Sequence, residues 1–178
     1  MYGDKVRIVW KHNPLSFHPN AMPAALASMA AHEQGKFWEY HDKLFANQQK
    51  MTRPDLLRHA QELGLDVKRF EQALNAARAK PAIDADAAEA RSLGATGTPA
   101  FFVNGRFLSG AKPFEEFAQV INGELTRLNA ERAEDRAGEL LAGADHPLLA
   151  LDGVDERIHR AGHLSADPFG ALDLRLYD

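Results

Sequence analysis

Residues 5–12 (KVRIVWKH) alternate along the chain, with Val6, Ile8 and Trp10 on one face and Arg7, Val9 and Lys11 on the other. A period of two predicts a strand with one buried face, placed at a sheet edge. Beyond residue 20 the period lengthens. Residues 21–34 (AMPAALASMAAHEQ) are alanine-rich with Leu26, Met29 and Ala30 at helical spacing, and Gly35 supplies a stop. The next segment, KFWEYHDKLFAN, places Phe37, Trp38, His41, Leu44 and Phe45 along one helical stripe. TRPDLLRHAQELG offers Thr52 as N-cap, Pro54 in the first turn, Leu56, Leu57, Ala60 and Leu63 as the buried face, and Gly64 as stop. Asp66 caps VKRFEQALNAA, and a further alanine-rich run over 81–93 ends at Gly94. Residues 20–93 therefore read as four or five consecutive helices with no strand among them.

The pattern changes again at GATGTP (94–99), a glycine-rich bend that leads through Thr98 and Pro99 into AFFVNG (100–105). A proline at a strand entry donates no ladder hydrogen bond, and proline is the one residue for which a cis peptide bond is inexpensive. Ala100 opens a short apolar run, Asn104-Gly105 is a strong two-residue hairpin signal, and 106–109 returns as the partner strand. Pro113 then opens a helix that keeps Phe114, Phe117, Val120, Ile121, Leu125 and Leu128 near one face. RAEDRAGELLAGA (132–144) continues or follows that helix, and 145–170 is rich in turn formers and reads as a linker. The last residues, ALDLRLYD, alternate Leu172, Leu174 and Leu176 against Asp173, Arg175 and Tyr177. This half-buried pattern suits an edge, or the first strand of a following domain, better than the centre of a sheet covered on both faces.

Composition narrows the chemistry. A chain of 178 residues, 45% hydrophobic and 26% charged, is long enough for one domain with a core. Its net charge of -4 comes from interspersed acids and bases, so nucleic acid is not an expected partner. No run approaches the length of a membrane span, and MYGDKVRIVW carries no export signal. Cysteine is absent, which excludes disulfides, thiolate metal ligands and a thiol nucleophile within these residues. His159 and His163 stand four apart, but no third ligand is fixed beside them, and neither a metal nor a cofactor is expected. His18 and His41 are assigned to loop hydrogen bonding and helix packing, and His12 ends the first strand without a visible partner. Phe37, Trp38, Phe45, Phe101 and Phe102 are assigned to the core. No G-x-S-x-G, P-loop or G-x-G-x-x-G arrangement is present.

The ordered combination of FHPNAMPAALASMAAHEQGKFWEYHDKLFANQQ and LGATGTPAFFVNGRFLSGAKPFEEF resembles the DsbA-type thiol-disulfide oxidoreductases, over roughly residues 2–128. The resemblance implies an α/β, thioredoxin-like fold with a helical insertion at about 20–93. It also implies a domain at 1–130; residues 131–178 lie outside the resemblance and read, from their own pattern, as a helical extension and linker-like tail with a possible terminal strand. Thr98 and Pro99 would form the cis-proline loop that pairs its backbone with a bound polypeptide, and the partner would be a polypeptide with thiols or disulfides. Such proteins begin with a strand and a C-x-x-C at the start of a helix, whereas Met1-Tyr2-Gly3-Asp4 looks like the middle of a later helix-to-strand connection.

Thiol-disulfide exchange requires a thiolate that attacks a sulfur, and no other side chain replaces it. The chain is accordingly expected to be the C-terminal portion of such an oxidoreductase, redox-inactive by itself. Its compartment is periplasmic or extracytoplasmic if the full-length protein carries an upstream export signal. The alternative is a non-catalytic module that binds extended polypeptide through the Pro99 loop and its neighbouring strand edge; a glutathione-using relative is a third possibility. The family's first strand lies between those resembling 5–12 and 100–109, so its absence leaves a gap of about 9.6 Å. Each unpaired buried backbone group there would cost about 1 to 3 kcal/mol, against a typical stability of roughly 5 to 15 kcal/mol. The chain must close the gap, wet it or borrow a strand, and the expectation is an intact helical block beside a defective sheet.

Overall fold

The computed structural model describes residues 2–144 and 172–177. After a short 3-10 turn at Gly3–Lys5 come β1 (Val6–Lys11), five helices α1 (Ala21–His32), α2 (Phe37–Ala46), α3 (Arg53–Glu62), α4 (Val67–Ala76) and α5 (Lys80–Ser92), then β2 (Ala100–Val103), β3 (Arg106–Ser109), α6 (Phe114–Ala144) and β4 (Leu172–Tyr177). His159 and His163 lie outside the described residues. The chain divides into two compact units, one holding β3, α6 and most of β1, β2 and β4, the other holding Trp10–Ala100 with all five of the shorter helices.

In the first unit the strands form one sheet in the order β1-β4-β2-β3. β1 is at an edge, as its pattern predicts. The gap foreseen between β1 and β2 is closed by β4, the alternating C-terminal segment that the sequence pattern assigned to an edge or to another domain. Side-chain alternation speaks only to how the two faces are covered. Pairing the facing N–H and C=O groups of β1 and β2 is worth more than an ideal pattern, because unpaired buried backbone is so costly. The sheet is therefore continuous rather than defective. The hairpin between β2 and β3 turns at Asn104 (φ 49°) and Gly105 (φ 84°), the pair of positive φ values that a tight two-residue hairpin loop requires.

Val103 and Ile121 form the buried centre of this unit, with Val6, Leu108, Phe117, Val120, Leu125 and Leu128 packed around them. Among its described residues one ionised group is buried. Glu124 of α6, 2% exposed, is bound by Arg106 Nε of β3 and by Arg127 Nε and Nη2 at 3.0 and 2.8 Å. Burial disfavours its charge, but the hydrogen bonds and charges of Arg127 and Arg106 outweigh burial and hold the carboxyl below its usual range. The face of β1 expected to be buried is open in part: Ile8 is 54% exposed and, with Tyr2, Val6, Phe101, Phe114 and Phe117, lines an apolar cleft of about 400 Å³.

The second unit is a helical block built around α1, which packs against α2, α3, α4 and α5. Its core joins Ala27, Ala30 and Ala31 of α1 to Tyr40 and Leu44 of α2, Leu56 and Ala60 of α3, and Phe70 and Leu74 of α4. Alanines along α1 let its neighbours approach closely, and the larger side chains of α2, α3 and α4 fill the space between them. Tyr40, fully buried, donates its hydroxyl to the Leu56 carbonyl at 2.9 Å, and burial pushes its phenol well above the ordinary value. Asp66 caps α4 as the sequence predicts, its Oδ1 accepting from the Arg69 N–H at 3.0 Å.

Candidate functional site

The helical unit contains a cavity of about 450 Å³ whose walls come from three pieces of chain. Ala21, Ala24, Ala25 and Ser28 lie at spacings of three and four on one face of α1 and make a wall of small side chains. From α2 come Phe37, His41, Leu44 and Phe45, again at helical spacing, with Gln48 just beyond. The third wall runs from Trp10 at the end of β1 to Asn20, and Thr98 lines the cavity as well.

Trp10 is the hub of the ring cluster. Its centroid lies 4.5 Å from His41, 5.9 Å from Phe37, 6.2 Å from Trp38 and 6.4 Å from Phe45, each pair near edge-to-face. That is the arrangement the ring quadrupoles favour. The His41 Nδ1 lies 2.9 Å from Asp42 Oδ1, and its Nε2 is buried with no hydrogen-bond partner among the described residues. Phe37, Trp38 and Phe45 were expected in the core. Trp38 and Phe45 are instead 46% and 49% exposed, because the buried face of α2 is set by Tyr40 and Leu44. Phe102 is buried as expected, whereas Phe101 lines the apolar cleft of the other unit.

Polar contacts hold the loop from β1 in place. Lys11 Nζ reaches Asp86 Oδ1 at 2.8 Å and Glu89 Oε2 at 2.9 Å on α5, and the His12 N–H donates to Asp86 Oδ2 at 3.1 Å. Burial draws the Lys11 ammonium down, but the hydrogen bonds and charges of Asp86 and Glu89 outweigh it and raise the group above its ordinary value. The buried His12 is not without partners, as its position at the strand end suggested, since Trp10 Nε1 donates to its Nδ1 at 3.4 Å. Burial lowers the imidazole's pKa against the pull of Asp86, with the Lys11 charge adding to the depression, so His12 is a neutral acceptor at pH 7. The buried Asn13 donates from Nδ2 to the Ala95 carbonyl at 3.1 Å and so ties residues 94–99 to the end of β1.

In that tethered segment Gly94 adopts φ +79° as α5 ends, and Ala95 donates back to the Ala90 carbonyl at 2.8 Å. Thr98 and Pro99 follow, half-buried and outside any helix or strand, and the peptide bond between them is cis. Thr98 lines the cavity. The strand that follows, β2, has β4 on one side and β3 on the other, so the strand edge expected beside Pro99 is not free. Only the segment upstream of Ala100 offers unladdered backbone at this point. Residues 3–122, which hold the five shorter helices, the cis Thr98-Pro99 bond and the hairpin after it, match the family model of the DSBA-like thioredoxin domain. The chain belongs to that family.

The DSBA-like domain is also similar to longer proteins. It is 42% identical over 147 residues to the Na(+)/H(+) antiporter NhaA 3 of Salinispora tropica, a match covering 80% of this chain and 22% of that protein. The Na(+)/H(+) antiporter NhaA of Herminiimonas arsenicoxydans is 43% identical over 110 residues, 62% of this chain and 17% of that protein. A third match, to Na(+)/H(+) antiporter NhaA 1 of Mycobacterium sp. (strain KMS), is 39% identical over 108 residues. The chain thus spans about a fifth of the length of the curated relatives it matches. Among its own described residues no helix is long and apolar enough to cross a membrane.

Proposed function

We propose that this DSBA-like domain is a non-catalytic polypeptide-binding module. An extended segment pairs its backbone with the chain at Gly97 and Thr98 and places a side chain in the adjoining cavity. The observation that carries this reading is the position of Thr98, whose residue lies outside every strand and at the same time lines the ring-walled cavity. Main-chain pairing gives such a site affinity without sequence demands, and the cavity supplies selection. Thiol-disulfide exchange is assigned no part, because attack on a disulfide sulfur needs a thiolate and these residues contain no cysteine. A second reading, the C-terminal portion of a DsbA-like oxidoreductase, is favoured by the family match. In it the same loop would present substrate to cysteines carried elsewhere. The names of the relatives suggest a setting beside a membrane transporter, where the client would be a mobile polypeptide segment.

The test is binding of an unfolded polypeptide in two forms, with its cysteines reduced and with them alkylated, measured by fluorescence anisotropy. Equal affinity for both forms is expected, together with a loss of about tenfold or more in Thr98→Arg, equivalent to about 1.4 kcal/mol. Absence of binding, or binding that requires client thiols, would overturn the proposal. Measurable dithiol oxidation by the chain itself would do the same.

A further inference from the structure

We infer that the cavity beside Thr98 selects an uncharged aromatic side chain of the bound polypeptide. The inference rests on the peptide-binding reading and specifies what that site prefers. Three features of the walls support it. First, although 26% of the chain is Asp, Glu, Lys or Arg, none of the residues that line the cavity belongs to these types. A charged side chain entering it would lose water and meet no Asp, Glu, Lys or Arg on the walls, whose ionisable groups are the imidazoles of His12, His18 and His41, and burial without a charged partner is costly. Second, the lining combines small side chains with rings: Ala21, Ala24 and Ala25 of α1 share the cavity with Phe37, His41 and Phe45 of α2. Small side chains on α1 leave room for a planar group beside the rings of α2. Third, the rings already present meet Trp10 edge-to-face at 4.5 to 6.4 Å. An added ring joins that network through the same quadrupole preference, which an aliphatic chain lacks. The cavity volume of about 450 Å³ is that of a small-molecule or side-chain site rather than a packing defect. Thr98 is itself a lining residue, which puts the cavity within reach of a side chain whose backbone pairs there.

The chain supplies its own reporter, for its two tryptophans, Trp10 and Trp38, both belong to the ring cluster. Blocked short peptides differing only in a central Phe, Leu, Lys or Glu are titrated while tryptophan emission is followed, with p-cresol as a free ring. The Phe peptide is expected to shift the emission and to bind about tenfold more tightly than the Leu peptide and more tightly than p-cresol. The Lys and Glu peptides should leave the emission unchanged. Phe45 is half exposed, so Phe45→Ala should keep the helical circular dichroism and weaken the Phe peptide about tenfold. Gln48→Glu, a same-size change at an exposed lining position, should weaken the Phe peptide and admit the Lys peptide. Binding of an unfolded polypeptide with no preference among the four peptides, or with none lost in Phe45→Ala, would overturn this inference while leaving the peptide-binding reading intact. Binding of p-cresol with no peptide bound would overturn both.

Discussion

Asn13→Ala separates the tether of the Thr98 loop from the loop itself. In the native chain Asn13 is 4% exposed, and its Nδ2 donates to the Ala95 carbonyl at 3.1 Å across a sequence separation of 82 residues. Truncation to alanine leaves that buried carbonyl without its side-chain donor and too enclosed to be freely hydrated. The cost of such an orphaned group is about 1 to 3 kcal/mol, a large share of a typical stability of roughly 5 to 15 kcal/mol. For a chain of this size each kcal/mol moves the thermal midpoint by roughly 2 to 4 °C, so a fall of about 2 to 12 °C is expected. Urea unfolding followed by far-ultraviolet circular dichroism gives the free energy, and an unchanged m-value would locate the loss in the native state. Asn13→Asp is the sharper variant: it cannot donate to the carbonyl and it buries a charge, so it should lose more than Asn13→Ala. Polypeptide affinity should fall in both variants, because residues 94–99 are no longer held against the end of β1. Unfolding of Asn13→Ala at the wild-type urea concentration, or undiminished polypeptide binding by a loop shown to be loosened, would refute the reasoning.

Asp86→Ala removes one partner of Lys11 and the acceptor of the His12 N–H; because these groups are partly exposed, a loss of about 1 to 2 kcal/mol is expected in urea unfolding. Glu124 contributes a pH dependence of definite sign. Its folded pKa is depressed, so its contribution is present above the ordinary glutamate value of 4.5 and is lost as the pH falls through the folded value. Glu124→Gln should therefore be less stable than wild type at pH 7, with the difference narrowing in acid; a constant difference from pH 7 to pH 3 would contradict this account. Tyr40→Phe deletes the hydroxyl donor to the Leu56 carbonyl, which keeps its own helix bond, so a loss of only about 0.5 to 1.5 kcal/mol is expected from thermal unfolding.

The helices were legible because their signals are local. The Asp66 cap, the glycine stops and the alanine spacing each act within a few residues, and all five shorter helices form where these signals place them. The Asn104-Gly105 hairpin was legible for the same reason. The place of β4 was not, since alternation shows that 172–177 is a strand but carries no information about which strands flank it. On α2 the stripe was read one position out: Tyr40 takes the buried place because its hydroxyl finds the Leu56 carbonyl, and Trp38 and Phe45 are left half exposed. The cavity has a trace in sequence, the run Ala21, Ala24, Ala25 and Ser28 at helical spacing, but that trace does not say that rings share the cavity. The acceptor of the His12 N–H, Asp86, was not visible because it is 74 residues away.

The position of β4 also sets an order of events. Of the four described strands β1 is synthesised before the others, and the strand beside it is the last described element of the chain. At about 5 to 20 residues per second, the ribosome needs roughly 10 to 30 s to deliver residues 172–177 after β1 has emerged. Throughout that interval one edge of β1 and one edge of β2 are unpaired templates for any passing strand. The helical block has no such delay, because its contacts lie within 21–92 and local contacts form fast. The nascent chain is therefore a folded helical body carrying open strand edges, and an extended segment bound beside Ala100 before β4 arrives would compete with the domain's own completion.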